Sequence, residues 1–308
     1  MKNGKVHVVT IVVVLVAVVT FVSLSARSSS RGVVVQSKTE STVKPTSRVT
    51  DRTTSTSAKA STAAFAAAAS QNAALRNELT WTFGGKQQRG WSLYELLINK
   101  TLKTQEDAAT SDFASAVAAW QKRSGLSADG VIDEDALMRF VSQWQSNRLK
   151  VRTAATPDQL LTAPATDFFD PSRAEELRQV ERNTYAAYKR MIAAALADPA
   201  LKLARSSAGE LAPGEKYFKI ISAFRSREYQ DELRRRSPNA GSAGLAVNSP
   251  HFTGRALDIY VGGDPVDTKD SNRAIQVDTP AYRWLVRNAE RFGFRPYFYE
   301  PWHWEYVG

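Results

Sequence analysis

Apolar and polar positions alternate along this chain in four distinct regimes. Residues 6–24 are almost wholly apolar, broken only by His7, Thr10, Thr20 and Ser23. As a helix this stretch would rise roughly 28 Å, close to the hydrocarbon thickness of a bilayer. It is longer than an ordinary signal-peptide core. With Lys2 and Lys5 ahead of it, residues 1–25 read as a membrane anchor or signal segment, an uncleaved anchor first. Residues 26–80 are Ser, Thr and Ala with few large apolar side chains, and only the alanine-rich piece at 63–69 favours helix. So little burial does not offset the entropy of ordering, and the stretch reads as a disordered spacer.

Helical periodicity begins near Trp81. A short helix is expected over 92–100. Phe113, Val117 and Trp120 then fall at i, i+4 and i+7 behind Ser111 and Asp112. Gly125 and Gly130 bracket a turn, and Asp133 caps a helix whose Leu137, Phe140, Val141 and Trp144 share one face. Residues 81–149 therefore form a small all-α module. Pro157 and Pro164, set among Ala and Thr, mark 150–169 as an inter-domain linker.

From 170 to 308 the period changes repeatedly. A long helix is expected from Asp170-Pro171 to Asp198-Pro199, carrying Leu177, Val180, Tyr188 and Met191 as its stripe. A strand over 217–224 and a helix over 227–236 follow, then a flexible loop at 241–248. Beyond the apolar run Ile259, Tyr260 and Val261, residues 262–280 read as a polar surface loop. A helix over 281–292, stopped by Gly293, and strand material at 294–299 and 303–307 complete an α+β domain.

Charge alters this picture little. The chain carries 41 Lys+Arg against 31 Asp+Glu, a formal net charge of +10. Residues 1–80 hold ten basic and three acidic side chains, so most of the excess lies in the leader and spacer. No basic–aromatic interleaving accompanies it, and no nucleic-acid partner is expected. The absence of cysteine excludes a disulfide scaffold and any thiolate ligand to a metal.

Chemistry concentrates in two short segments. Ser249-Pro-His251-Phe-Thr-Gly-Arg-Ala-Leu-Asp258 places an imidazole and a carboxylate seven positions apart. Glu300-Pro-Trp-His303 adds a second imidazole near the C-terminal residue. The chain has only three histidines, and the third, His7, lies in the apolar leader. Two imidazoles and one carboxylate make the ligand set of a catalytic Zn2+ site with its fourth position left to water. Glu300 is then the candidate general base. Pro301 is expected to bend the chain so that Glu300 and His303 both face the metal.

Ser-x-His-x-x-Gly-x-Ala-x-Asp followed by Glu-x-x-His resembles the signature of zinc D,D-peptidases, the VanY-type D-alanyl-D-alanine carboxypeptidases among them. The resemblance covers about residues 215–308. It implies a zinc D,D-peptidase-like fold, a mixed sheet with helices, with His251, Asp258 and His303 as zinc ligands and Glu300 catalytic. It also implies that Arg225, in Ser222-Ala-Phe-Arg225-Ser226, approaches the scissile carbonyl, and that Ser249 helps bind the substrate's terminal carboxylate. Gln230 is a weaker substrate-binding candidate. The pattern from Phe113 through Trp120-Gln121 and Gly125-Leu126 to Asp129-Gly130 and Asp133 resembles the three-helix peptidoglycan-binding module, with Trp120 where that family usually has Phe.

Together these features lead us to expect an exported, membrane-anchored zinc peptidase of the cell envelope acting on peptidoglycan stem peptides. A cross-link endopeptidase of the same family and a non-catalytic, zinc-stabilised wall-binding protein are the alternatives.

Overall fold

The computed structural model describes residues 53–236 and 248–308. The expected anchor at 1–25 lies outside the described residues. Among the described residues, no helix is long and apolar enough to cross a membrane.

The N-terminal half is helical, but it starts earlier than the periodicity suggests. Helix α1 runs over Thr53–Glu78, across much of what reads as spacer. Its alanines explain both the expectation and its failure. They offer too little apolar area for a separate core, yet they let a helix lie close against a neighbour. Ala68 and Ala69 are buried against Ala114, with Phe65 packed beside them. Asn72, fully buried, locks the contact: its side chain donates to the Gly130 carbonyl and accepts from the Ile132 amide, both at 2.8 Å. Gly130, at φ 81, lies so close to the helix carrying Ala114 that a Cβ there would meet the Ala114 carbonyl oxygen at 2.7 Å.

A hairpin that the apolar pattern does not reveal follows, β1 (Thr80–Phe83) paired with β2 (Lys86–Arg89). Helices α2 (Glu95–Leu102), α3 (Ser111–Arg123) and α4 (Glu134–Ser146) complete the module. The Thr110 hydroxyl caps α3 by accepting from the Phe113 amide, and the Asp133 carboxylate caps α4 by accepting from the Ala136 amide. Trp120 and Phe140 stack across the two helices at 3.6 Å between centroids.

The expected linker at 150–169 is part of the C-terminal fold. Strand β3 (Leu160–Thr162) pairs antiparallel with β4 (Gln179–Glu181). The Ala155 amide donates to the Phe252 carbonyl, and buried Phe168 bridges to Ile220. The long helix expected from Asp170 begins only at Arg182, because 175–181 go into a 3-10 turn and β4. The Glu181 carboxylate then caps α5 (Arg182–Ala197).

A four-stranded antiparallel sheet in the order β5 (Ile220–Ser222), β6 (Ala256–Ile259), β8 (His303–Tyr306), β7 (Phe294–Pro296) carries the rest. Helix α6 (Arg227–Arg236) follows β5. The stretch expected as a polar loop contains helix α7 (Asp270–Asp278), and Thr279 caps α8 (Pro280–Asn288). Strand β6 lies between two neighbours and is buried at all four positions. Its Leu257 pairs with Trp304, whose ring meets Tyr282 of α8 edge-on. Alternation then turns Asp258 to the opposite face.

One hydrophobic cluster spans both halves, running from Trp81 to Trp304. Phe298 is the plug. Its ring lies 4.7 Å from Phe83, 5.3 Å from Tyr94 and 5.9 Å from Trp144. Arg273 of α7, almost fully buried, donates to the Tyr94 hydroxyl at 2.9 Å and to the Asp270 carboxylate at 2.7 Å.

Two outcomes are expected. Asn72→Ala removes the side chain serving two buried backbone groups and should cost about 1–3 kcal/mol, measured by urea unfolding. A fragment starting at residue 165 exposes the aromatic seam around Phe298. It should lack a cooperative thermal transition by calorimetry, whereas the chain from residue 53 keeps one.

Candidate metal centre

Three strands bring the site together by register alone. Asp258 pairs with Ser222 on one side and with His303 on the other, so all three lie in one row across the sheet. His251 reaches the same row from a 3-10 turn, Pro250–Thr253. The Ser249 hydroxyl starts that turn by accepting from the His251 amide at 3.3 Å, and Gly254 ends it in the left-handed region at φ 65. A Cβ on Gly254 would lie 2.9 Å from both the Glu181 nitrogen and Leu160 Cδ2. The glycine therefore serves the conformation and the close approach together.

His303 follows a tight turn in which its amide donates to the Glu300 carbonyl at 2.9 Å, while the Ile259 amide donates to the Trp302 carbonyl. The turn carries Pro301 and leaves Glu300 Oε2 3.9 Å from His303 Nδ1. Asp258 Oδ1 lies 3.3 Å from His251 Nε2 and 3.0 Å from His303 Nδ1. One donor atom from each of the three residues falls within 4.8 Å of the others, and all three residues are buried.

What the remaining atoms do shows that the donors are aimed. His251 Nδ1 lies 2.6 Å from the Ala223 carbonyl, so that nitrogen carries the proton and Nε2 is left with a lone pair. Arg225 Nη2 donates to Asp258 Oδ2 at 2.7 Å and its Nε donates to Ser222, which leaves Asp258 Oδ1 turned to the imidazoles. His303 Nε2 lies 3.3 Å from Glu305 Oε1, leaving Nδ1 to face the centre.

Donors about 2.1 Å from a tetrahedral metal sit about 3.4 Å from one another. The two imidazole–carboxylate separations match that edge. The donor set thus fits a single Zn2+ ion held by two imidazoles and one carboxylate.

Burial and mutual contact set the charge of each group in the site. Burial pushes the His251 imidazole down to about 4, with Arg225 adding to the effect. Burial would by itself raise Asp258, but His251, His303 and Arg225 draw its carboxyl well below the usual range. Burial would likewise lower His303, yet the hydrogen bonds to Asp258 and Glu305 raise it to about 9. Glu300 is pushed up to about 7, chiefly by burial.

Of the other expected residues, Arg225 and Ser249 touch the site directly. Arg225 is buried and engaged with Asp258, an interaction its sequence position does not reveal. Ser249 serves as the turn cap described above. Gln230 of α6 is buried with its side-chain oxygen unpartnered among the described residues. A pocket beside Arg225 and Ser222 is lined by Arg173, Tyr229, Leu233 and Val266.

Glu305 is the functional residue that sequence reasoning missed. The signal was present, because His-x-Glu in a strand puts both side chains on one face. The apolar and aromatic neighbours Trp304 and Tyr306 masked it.

Residues 177–308 match the family model of VanY, D-alanyl-D-alanine carboxypeptidase. No curated protein sequence matches. Among solved structures, one titled "Structure of the LdcB LD-carboxypeptidase reveals the molecular basis of peptidoglycan recognition" is similar at 22% identity and a TM-score of 0.35, covering 50% of this chain and 70% of that one.

His251→Ala should abolish stoichiometric zinc in elemental analysis, with the fold kept by circular dichroism. Full zinc content in that variant would remove His251 from the ligand set.

Proposed function

Taking residues 177–308 as a VanY-type domain, and hence a peptidoglycan-hydrolysing carboxypeptidase, we propose that the protein removes the terminal D-alanine from peptidoglycan stem peptides. His251, Asp258 and His303 would hold the zinc, and Glu300 would move the proton. The observation that carries this reading is the convergence of three buried donors with a second acid, Glu300, just outside them. A purely structural metal site has no use for that extra acid.

When bound, zinc supplies a water made acidic enough to ionise near neutral pH and a Lewis acid for the scissile carbonyl. The chain's own groups do the rest. Glu300 accepts the proton of the attacking water and delivers it to the leaving amine. A carboxyl held near 7 by burial is matched to both duties, since it both takes and gives a proton at neutral pH. Arg225 fixes Asp258 and sets a positive charge beside the carbonyl oxygen where negative charge develops. Gln230 offers a buried oxygen that a substrate amide N–H would satisfy. Ser249 accepts from the His251 amide and keeps its own O–H to donate to a substrate carboxylate.

The substrate places the enzyme in the cell envelope, exported. Residues 6–24, by their apolar length, would anchor it in the cytoplasmic membrane with the catalytic half outside. Wall contact by the helical module is supported by its resemblance alone. Its aromatic side chains are core residues here, so any contact would fall to its polar surface.

Glu300→Gln keeps shape and hydrogen-bonding capacity but cannot take a proton. Turnover of a D-Ala-D-Ala-terminated peptide should fall at least about a hundredfold, with zinc content unchanged. Near-normal turnover with normal zinc would place the base elsewhere, and loss of zinc would make Glu300 a ligand.

A further inference from the structure

The geometry points to a positioning role for Arg148, a residue of the helical half that acts on the metal centre through Glu305. Glu305 has no exposed surface, and its Oε1 meets His303 Nε2 at 3.3 Å. A fully buried carboxylate costs several kcal/mol unless it is paired. Its partners come from the segment just after α4. Arg148 donates from Nη2 at 2.5 Å and from Nε at 3.2 Å to the same Oε1, and the Leu149 amide donates to Oε2 at 2.9 Å. Arg152 Nη2 lies further off, at 3.9 Å.

Arg148 is itself fixed on three sides. Its Nη1 donates to Gln145 of α4 at 3.0 Å, and its guanidinium lies 4.0 Å from the centre of the Tyr297 ring. The Tyr297 ring stands edge-on to His303, 5.9 Å away. A continuous run of contacts thus leads from α4 through Arg148 and Glu305 to His303. Without Arg148, Glu305 loses its closest cation and the two-pronged contact that holds it in place. His303 would then lose the acceptor that orients its ring with Nδ1 toward the metal. Carboxylates that orient a ligating histidine in this way are typically worth 10–100-fold in metal affinity.

The inference rests on the zinc reading above, and zinc affinity of the full chain tests both separately. Competition with a chromogenic chelator would measure zinc binding to the parent, Arg148→Met, Arg148→Lys and Lys100→Ala proteins. Thermal midpoints of the metal-free proteins would be taken alongside. Lys100 pairs with Glu290 at 3.0 Å and also links the two halves, through neither Glu305 nor His303. Arg148→Met should bind zinc at least about tenfold more weakly. Arg148→Lys should recover part of that loss by restoring the charge without the fork, and Lys100→Ala should bind like the parent. Activity should follow, with kcat lowered more than KM.

Parent-like zinc affinity in Arg148→Met overturns the role of Arg148 and leaves the metal site standing. A parent that binds no zinc overturns the site itself. Equal losses in Arg148→Met and Lys100→Ala would reduce the effect to docking of the halves, which also overturns the inference. Should Arg148→Met fail to fold, the lysine variant decides. Affinity between two and tenfold below the parent supports the role, and parent affinity overturns it.

Discussion

An ionised carboxylate in the middle of a buried strand is the constraint around which this molecule is built. Asp258 sits on β6, covered on both faces, where water cannot solvate it. Such a charge is tolerable only if its lone pairs are all engaged. Arg225 takes one oxygen, and the other accepts from His303 Nδ1 at 3.0 Å while facing the lone pair of His251 Nε2 at 3.3 Å, the edge along which a metal ion would bind. Each of those partners must then be held in turn. Arg225 leans on Ser222, His251 on the Ala223 carbonyl, and His303 on Glu305. The sheet order follows from the same need. Only a central β6 has neighbours on both sides to bring Ser222 and His303 into its row.

Polarity within the site is graded by what surrounds each acid. Asp258 and Glu305 are both held below the ordinary carboxylate range by cations and imidazole N–H groups that outweigh their burial. Glu300 stands further off, 3.9 Å from His303 Nδ1, and burial outweighs the pull of His303, Arg148 and Arg225 and pushes it up to about 7. Three carboxylates within one small region thus take on two different chemical characters. Two remain fixed negative charges, and one is free to exchange a proton at neutral pH.

Much of the candidate site was legible because ligands must be of particular residue types. His251, Asp258, His303 and Glu300 stand out in a chain with three histidines and no cysteine. The turn at Pro301 was readable for a similar reason, since proline restricts the backbone that can stand there. The α+β class and the cap at Asp133 also followed from local rules. What stayed hidden depends on partners distant in sequence. Ala68, Ala69 and Asn72 look like spacer until α3 and the 130–132 loop are brought against them. Residues 160–181 look like linker and helix until β3 meets β4. Arg148 looks like a surface residue until Glu305, 157 positions away, is placed beside it. Local patterns carry no record of such pairings, because the energy that selects them is released only on packing.

The plug formed by Phe298 has a consequence for how such a chain can change over evolutionary time. Exchangeable domains can be shuffled by recombination because each keeps its own interior. Here a genetic breakpoint anywhere in 150–169 would separate Phe83, Tyr94 and Trp144 from the ring that fills the space between them. Both products would carry an open aromatic surface. The two halves are therefore bound to be inherited together. A substitution that enlarges or shrinks Phe298 has to be answered by a compensating change in a segment encoded some 150 to 215 codons upstream.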